Sequence, residues 1–95
     1  MIVTSTCDPA LRVSFLEAAA RNAPQDGGLF LPLELAPFED VPALLALPFV
    51  ERSTEILARL LVAELARHDV AAMVGAAQDF PVVHRELAPG FSVLE

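Results

Sequence analysis

The chain opens on Met1-Ile2-Val3-Thr4-Ser5-Thr6, a run of β-branched and small polar residues that Asp8 and Pro9 halt by favouring a turn. This predicts a strand over residues 1–6. Ser14 stands three positions before Glu17, the capping-box spacing in which hydroxyl and carboxylate each satisfy an amide left free at a helix start. A short helix should begin at Phe15, carry Leu16, Ala19 and Ala20 at helical spacing, pair Glu17 with Arg21, and stop at Asn22 and Pro24. Asp26-Gly27-Gly28 then predicts a turn needing positive φ, followed by an extended Leu29-Phe30-Leu31-Pro32. Pro37, Pro42 and Pro48 divide the next stretch, with Asp40 as N-cap and Pro42 in the first turn of a small helix.

From Val50 onward apolar positions recur with a helical period. Ile56, Leu57, Leu60 and Leu61 share one face, and Glu55 and Arg59 are spaced to pair on another. The period continues through Leu65, Val70, Met73 and Val74 to Ala77, and two helices parted within residues 64–69 are expected. Pro81 stops the run. Val82–Leu87 and Ser92–Glu95 then flank Ala88-Pro89-Gly90-Phe91 in a hairpin pattern. Together these elements predict an α+β fold, a small domain of several helices packed on a few short strands. The faces bearing Leu57, Leu60, Leu61 and Leu65 read first as core and second as a partner surface.

Composition narrows the function classes. Ninety-five residues make one domain, and six arginines against thirteen carboxylates give a net charge of −7. A fold with that balance repels phosphate backbones and anionic lipid, which argues against nucleic-acid and membrane partners. Every basic residue is arginine, so the N-terminus is the one amine within the sequence able to form a Schiff base. The apolar stretch Ile56–Leu65 is broken by Arg59 and Glu64 and is far shorter than the roughly 20 residues of a bilayer span. With no secretory-signal pattern and a single cysteine, a cytoplasmic setting is expected.

Candidate chemistry is sparse. His68 and His84 have no second ligand at a metal-site spacing, so both read as packing or hydrogen-bonding residues. Cys7 reads as a buried, inert thiol rather than half of a thiolate pair. Gly27-Gly28 lacks the longer glycine patterns of phosphate or dinucleotide loops and reads as a tight turn, with Asp26 capping it through its own backbone. The carboxylates are scattered on exposed faces. By the residues alone, this is an acidic α+β domain with no self-contained active site.

The stretch Arg12–Pro32, RVSFLEAAARNAPQDGGLFLP, nevertheless resembles the start of the threonine synthase family. Ser5-Thr6, Val13-Ser14-Phe15, Asp26–Pro32, Leu47–Leu57 and the terminal Val93-Leu94-Glu95 are similar to that family in order and spacing. Cys7 stands where the family often has arginine or another polar residue, and the connection near Glu64 lacks its usual Gly or Pro. The resemblance implies a pyridoxal-phosphate enzyme of fold type II that converts O-phosphohomoserine and water to threonine and phosphate, with the cofactor as electron sink. It covers only the N-terminal domain and stops before the segment of the Schiff-base lysine. Residues 1–95 are therefore expected to be a fragment whose cofactor-binding catalytic domain lies beyond them, itself inactive and binding no cofactor. Glu95 falling in mid-strand agrees with that expectation.

No position inherits a catalytic, cofactor-binding or metal role from the resemblance. The expected task is to cap or support the active-site cleft, with Asp26, Gly27 and Gly28 as a cleft-facing turn and Ser5 and Thr6 supporting it. The expected partners are the catalytic domain and O-phosphohomoserine, and the late helices and final strand should form an apolar patch where that domain docks. Two alternatives remain open: a non-catalytic protein-interaction module, and a domain of a related phospho-lyase that releases a keto acid.

Overall fold

The computed structural model describes residues 1–95 and has four helices and five strands, an α+β domain as expected. Strand β1 (Ile2–Ser5) is the centre of a three-stranded antiparallel sheet, flanked by β2 (Val13–Ser14) and β3 (Phe30–Pro32). Val3 faces Val13 on one side and Pro32 on the other, and Ser5 faces Phe30. Period-two alternation turns Val3 and Ser5 to the buried face. Helix α1 (Phe15–Arg21) follows β2 directly. The Ser14 hydroxyl accepts the Glu17 amide at 3.1 Å, forming half of the predicted capping box. The reciprocal half is absent because the Glu17 carboxylate takes Arg21 instead.

The second half is helical. In α2 (Val41–Ala46) the Asp40 carboxylate caps the Ala43 amide at 2.9 Å, and Pro42 sits in the first turn. Helices α3 (Phe49–Leu60) and α4 (Arg67–Ala77) form an antiparallel pair joined through residues 61–66, so the predicted break is where expected. The predicted Glu55–Arg59 pair does not form. Glu55 reaches across to Arg67, while Arg59 donates to the Pro37 carbonyl at 2.7 Å and lies over the Phe38 ring, 4.5 Å from its centroid. The fold offers each side chain a partner outside α3, which overrides a weak local pair. Met73, placed on the apolar face by its spacing, is exposed at the edge of that face.

The hairpin is β4 (His84–Ala88) and β5 (Phe91–Leu94), two residues later at its start than the pattern predicts. Val82 and Val83 lie outside the strands, and Gly90 supplies the positive φ of the turn at +75°.

The buried apolar core is divided into two small clusters. Val3, Val13 and Ala18 form one, between the sheet and α1; Leu61, Val70 and Val74 form the other, between α3 and α4. Met1 packs against both. The domain is open for its length. Its radius of gyration is 16.4 Å, against about 12 Å for a compact chain of this size. Its accessible surface is 6876 Å², against about 5,300 Å² for a compact monomer of this mass. No helix is long and apolar enough to cross a membrane.

Candidate functional site

Ser5 is a polar residue on the buried face of a central strand, 2% exposed, and a hydroxyl placed there must find a partner. Its partner comes from the turn before β3. The Ser5 hydroxyl donates to Asp26 Oδ1 at 2.9 Å, and the Gly28 amide donates to the same oxygen at 2.9 Å. Ser5 Oγ in turn accepts the Cys7 amide at 3.1 Å. Beside this link, the Thr6 hydroxyl accepts the Leu29 amide at 2.9 Å, and the Thr6 amide donates to the Leu29 carbonyl at 3.0 Å. The five predicted residues Ser5, Thr6, Asp26, Gly27 and Gly28 thus come together in one polar knot that fastens the end of β1 to the start of β3.

The two glycines have different reasons to be glycine. Gly27 has φ +79° with open space around it, so its backbone conformation alone excludes a comfortable side chain. Gly28 has no such φ but is buried, and a Cβ there would stand 2.5 Å from Ser5 Oγ and 2.8 Å from Thr6 Oγ1. Asp26 is held below the ordinary carboxylate range, first by the Gly28 amide and then by the Ser5 hydroxyl. Its carboxylate is a fixed negative charge beside an exposed loop.

Chemically the knot is an anchor. The Ser5 hydroxyl that pairs with the Asp26 carboxylate is 2% exposed and so is not presented to a substrate. Asp26 and Gly27 are themselves exposed to solvent. His68 and His84 are both exposed and lie on different elements, α4 and β4. Cys7 corrects its expectation: the side chain is exposed rather than buried, because β1 has ended and the chain is turning outward toward Asp8 and Pro9.

No protein-family model matches the chain. Threonine synthase of Haemophilus influenzae is 34% identical over 87 residues, covering 92% of this chain and 20% of that protein. Threonine synthase of Serratia marcescens is 34% identical over 86 residues, covering 88% of this chain and 20% of that protein. The crystal structure of threonine synthase from Escherichia coli superimposes on the whole chain with a TM-score of 0.91 at 29% identity, using 23% of its own length. The chain matches the N-terminal domain of threonine synthases. It spans about a fifth of the length of these relatives.

Sequence reasoning missed a second polar centre. Glu64 sits between α3 and α4 with its Oε1 3.3 Å from the Met1 α-ammonium and 2.9 Å from the Phe15 amide. The one signal for it is an acidic side chain at 64 sharing a helical face with Leu57 and Leu61, where an apolar residue would otherwise be expected. Arg52 was equally unmarked, yet its guanidinium donates to the carbonyls of Leu45 and Leu47 at the end of α2, at 2.9 and 2.8 Å.

Proposed function

We propose that these residues are the N-terminal domain of a pyridoxal-phosphate-dependent threonine synthase, acting in the cytoplasm on O-phosphohomoserine and water to give threonine and phosphate. The observation that carries this is the superposition of the entire chain on one segment of a threonine synthase, with sequence identity along nearly all of it. Residues 1–95 do not fit the cofactor: the sequence has no lysine to bind its aldehyde. The cofactor's chemistry, withdrawing electrons from the substrate, belongs to the remainder of the protein.

The domain's part is to cap the cleft. Its knot holds the turn Asp26-Gly27-Gly28 rigid at one margin, with Ser5 and Thr6 behind it, and a rigid wall limits the water that reaches a reactive centre. The open shape and apolar exterior support a docked catalytic domain. Phe80, Val82, Val83, Leu87, Phe91 and Leu94 are all exposed. The accessible surface exceeds the compact expectation by roughly 1,500 Å², enough to feed an interface of standard size.

The test is product analysis of the full-length protein supplied with pyridoxal phosphate and O-phosphohomoserine. Threonine and phosphate in equal amounts are expected. Phosphate with a keto acid would identify a phospho-lyase instead, and no phosphate release would leave an interaction module as the better description.

A further inference from the structure

Arg52 and Arg59 stand two helical turns apart on α3 and so share a face, and both donate to backbone carbonyls of the segment that precedes the helix. Arg52 Nη2 reaches the Leu45 and Leu47 carbonyls at 2.9 and 2.8 Å, and Arg59 Nη2 reaches the Pro37 carbonyl at 2.7 Å while lying over the Phe38 ring. Every hydrogen bond that joins residues 37–47 to the rest of the chain comes from these two side chains. No ion pair reaches the segment. Apolar packing adds little, because α2 buries none of its residues, Val41 and Leu45 are exposed, and Leu44 and Leu47 are half-buried. A helix of six residues does not persist in water by itself. Between the segment and α3 runs a groove of about 630 Å³, walled by Phe38, Asp40 and Leu44 on one side and by Glu55 and Arg59 on the other. We propose that residues 37–47 are a strap that lifts from α3 and returns as one unit, opening and closing this groove, with Arg59 as the clasp at one end and Arg52 as the clasp at the other.

The clasps differ in strength. Arg52 brings a cation and its donors to carbonyls at the end of α2, where a helix leaves its last acceptors unpaired. Its Nε is buried without a partner, a cost of closure that keeps the open state within reach. Arg59 is exposed and contributes one hydrogen bond and one ring contact. A unit held at both ends loses protection along its whole length when either end is released, whereas ends that fray independently lose it only locally.

The experiment is native-state amide hydrogen exchange on the full-length protein and on its Arg52→Met and Arg59→Met variants, which keep an apolar stem and remove the donors. In the wild type, the amides of residues 43–47 are expected to exchange through one common opening, with a shared denaturant dependence and about tenfold or more faster than those of residues 54–58 in α3. Arg52→Met should speed exchange at 43–47 by about thirtyfold. Arg59→Met should speed it there by about fivefold, although the contacts it removes are at Pro37 and Phe38. Residues 2–5 in β1 should change by less than about twofold in both variants. The wild-type comparison stands even if a variant fails to fold. Separate openings within 43–47, exchange there no faster than in α3, an Arg59→Met effect confined to residues 38–40, or equal acceleration in β1 would each overturn the strap.

Discussion

The sheet of β1, β2 and β3 and the hairpin of β4 and β5 are both built from short strands, yet they solve opposite problems. In the sheet, Val3 and Ser5 are turned inward, α1 covers Val13, and the one buried hydroxyl is matched to Asp26. In the hairpin every residue but Val93 is exposed, and the two strands pack chiefly on each other. An isolated two-stranded hairpin is marginal in water, and one presenting Leu87, Phe91 and Leu94 to solvent displays an adhesive face. The difference teaches that residues 1–32 carry one of the two buried clusters and the Ser5–Asp26 link, whereas residues 80–95 leave most of their apolar side chains exposed.

Substitutions can break or sharpen that contrast. The largest effect is expected from Gly28→Val in the full-length protein. Its added side chain collides with Ser5 and Thr6, costing about 3 kcal/mol of stability in urea unfolding and lowering turnover together with it. Wild-type folding and turnover would remove the turn from the functional argument. Next, Val3→Ala should cost about 2 kcal/mol, whereas Leu87→Ala in the 95-residue segment alone should change its stability by less than about 0.5 kcal/mol. Equal losses would erase the distinction between the two sheets. Gly27→Ala is milder, about 1 kcal/mol, because the strain lies in one backbone angle with room for the methyl group.

The smallest effect is a pH dependence at Asp26. Its hydrogen bonds lower the folded-state affinity for a proton beneath the ordinary value of 3.8, so the unfolded chain binds more protons in that range. Its stabilisation is fully present above that ordinary value and is lost as pH falls through the lowered one. The stability difference between wild type and Asp26→Asn should therefore shrink between about pH 5 and pH 2. A difference that stays constant over that range would contradict the Ser5–Asp26–Gly28 hydrogen bonding.

Much of this architecture was legible where a short-range rule governs it. Ser14, Asp40 and Pro42 mark helix starts through contacts within three residues, and Gly27 marks a turn through its own backbone. The same local rules misled where a distant partner competes, as when Arg59 left Glu55 for Pro37 and Phe38. Asp26 and Ser5 lie 21 residues apart and Glu64 and Phe15 49 apart, separations at which spacing carries no information. For the turn, the family resemblance supplied what periodicity could not. For Glu64 and Met1, it took the folded chain to reveal the pair.

The most direct measurement is hydroxyl-radical footprinting of the full-length protein at Phe80, Leu87, Phe91 and Leu94, which in this domain alone are 58%, 56%, 62% and 72% exposed. A domain docked through its hairpin onto a threonine synthase body predicts that all four are shielded in the intact protein. Labelling at the rates their present exposure dictates would contradict it.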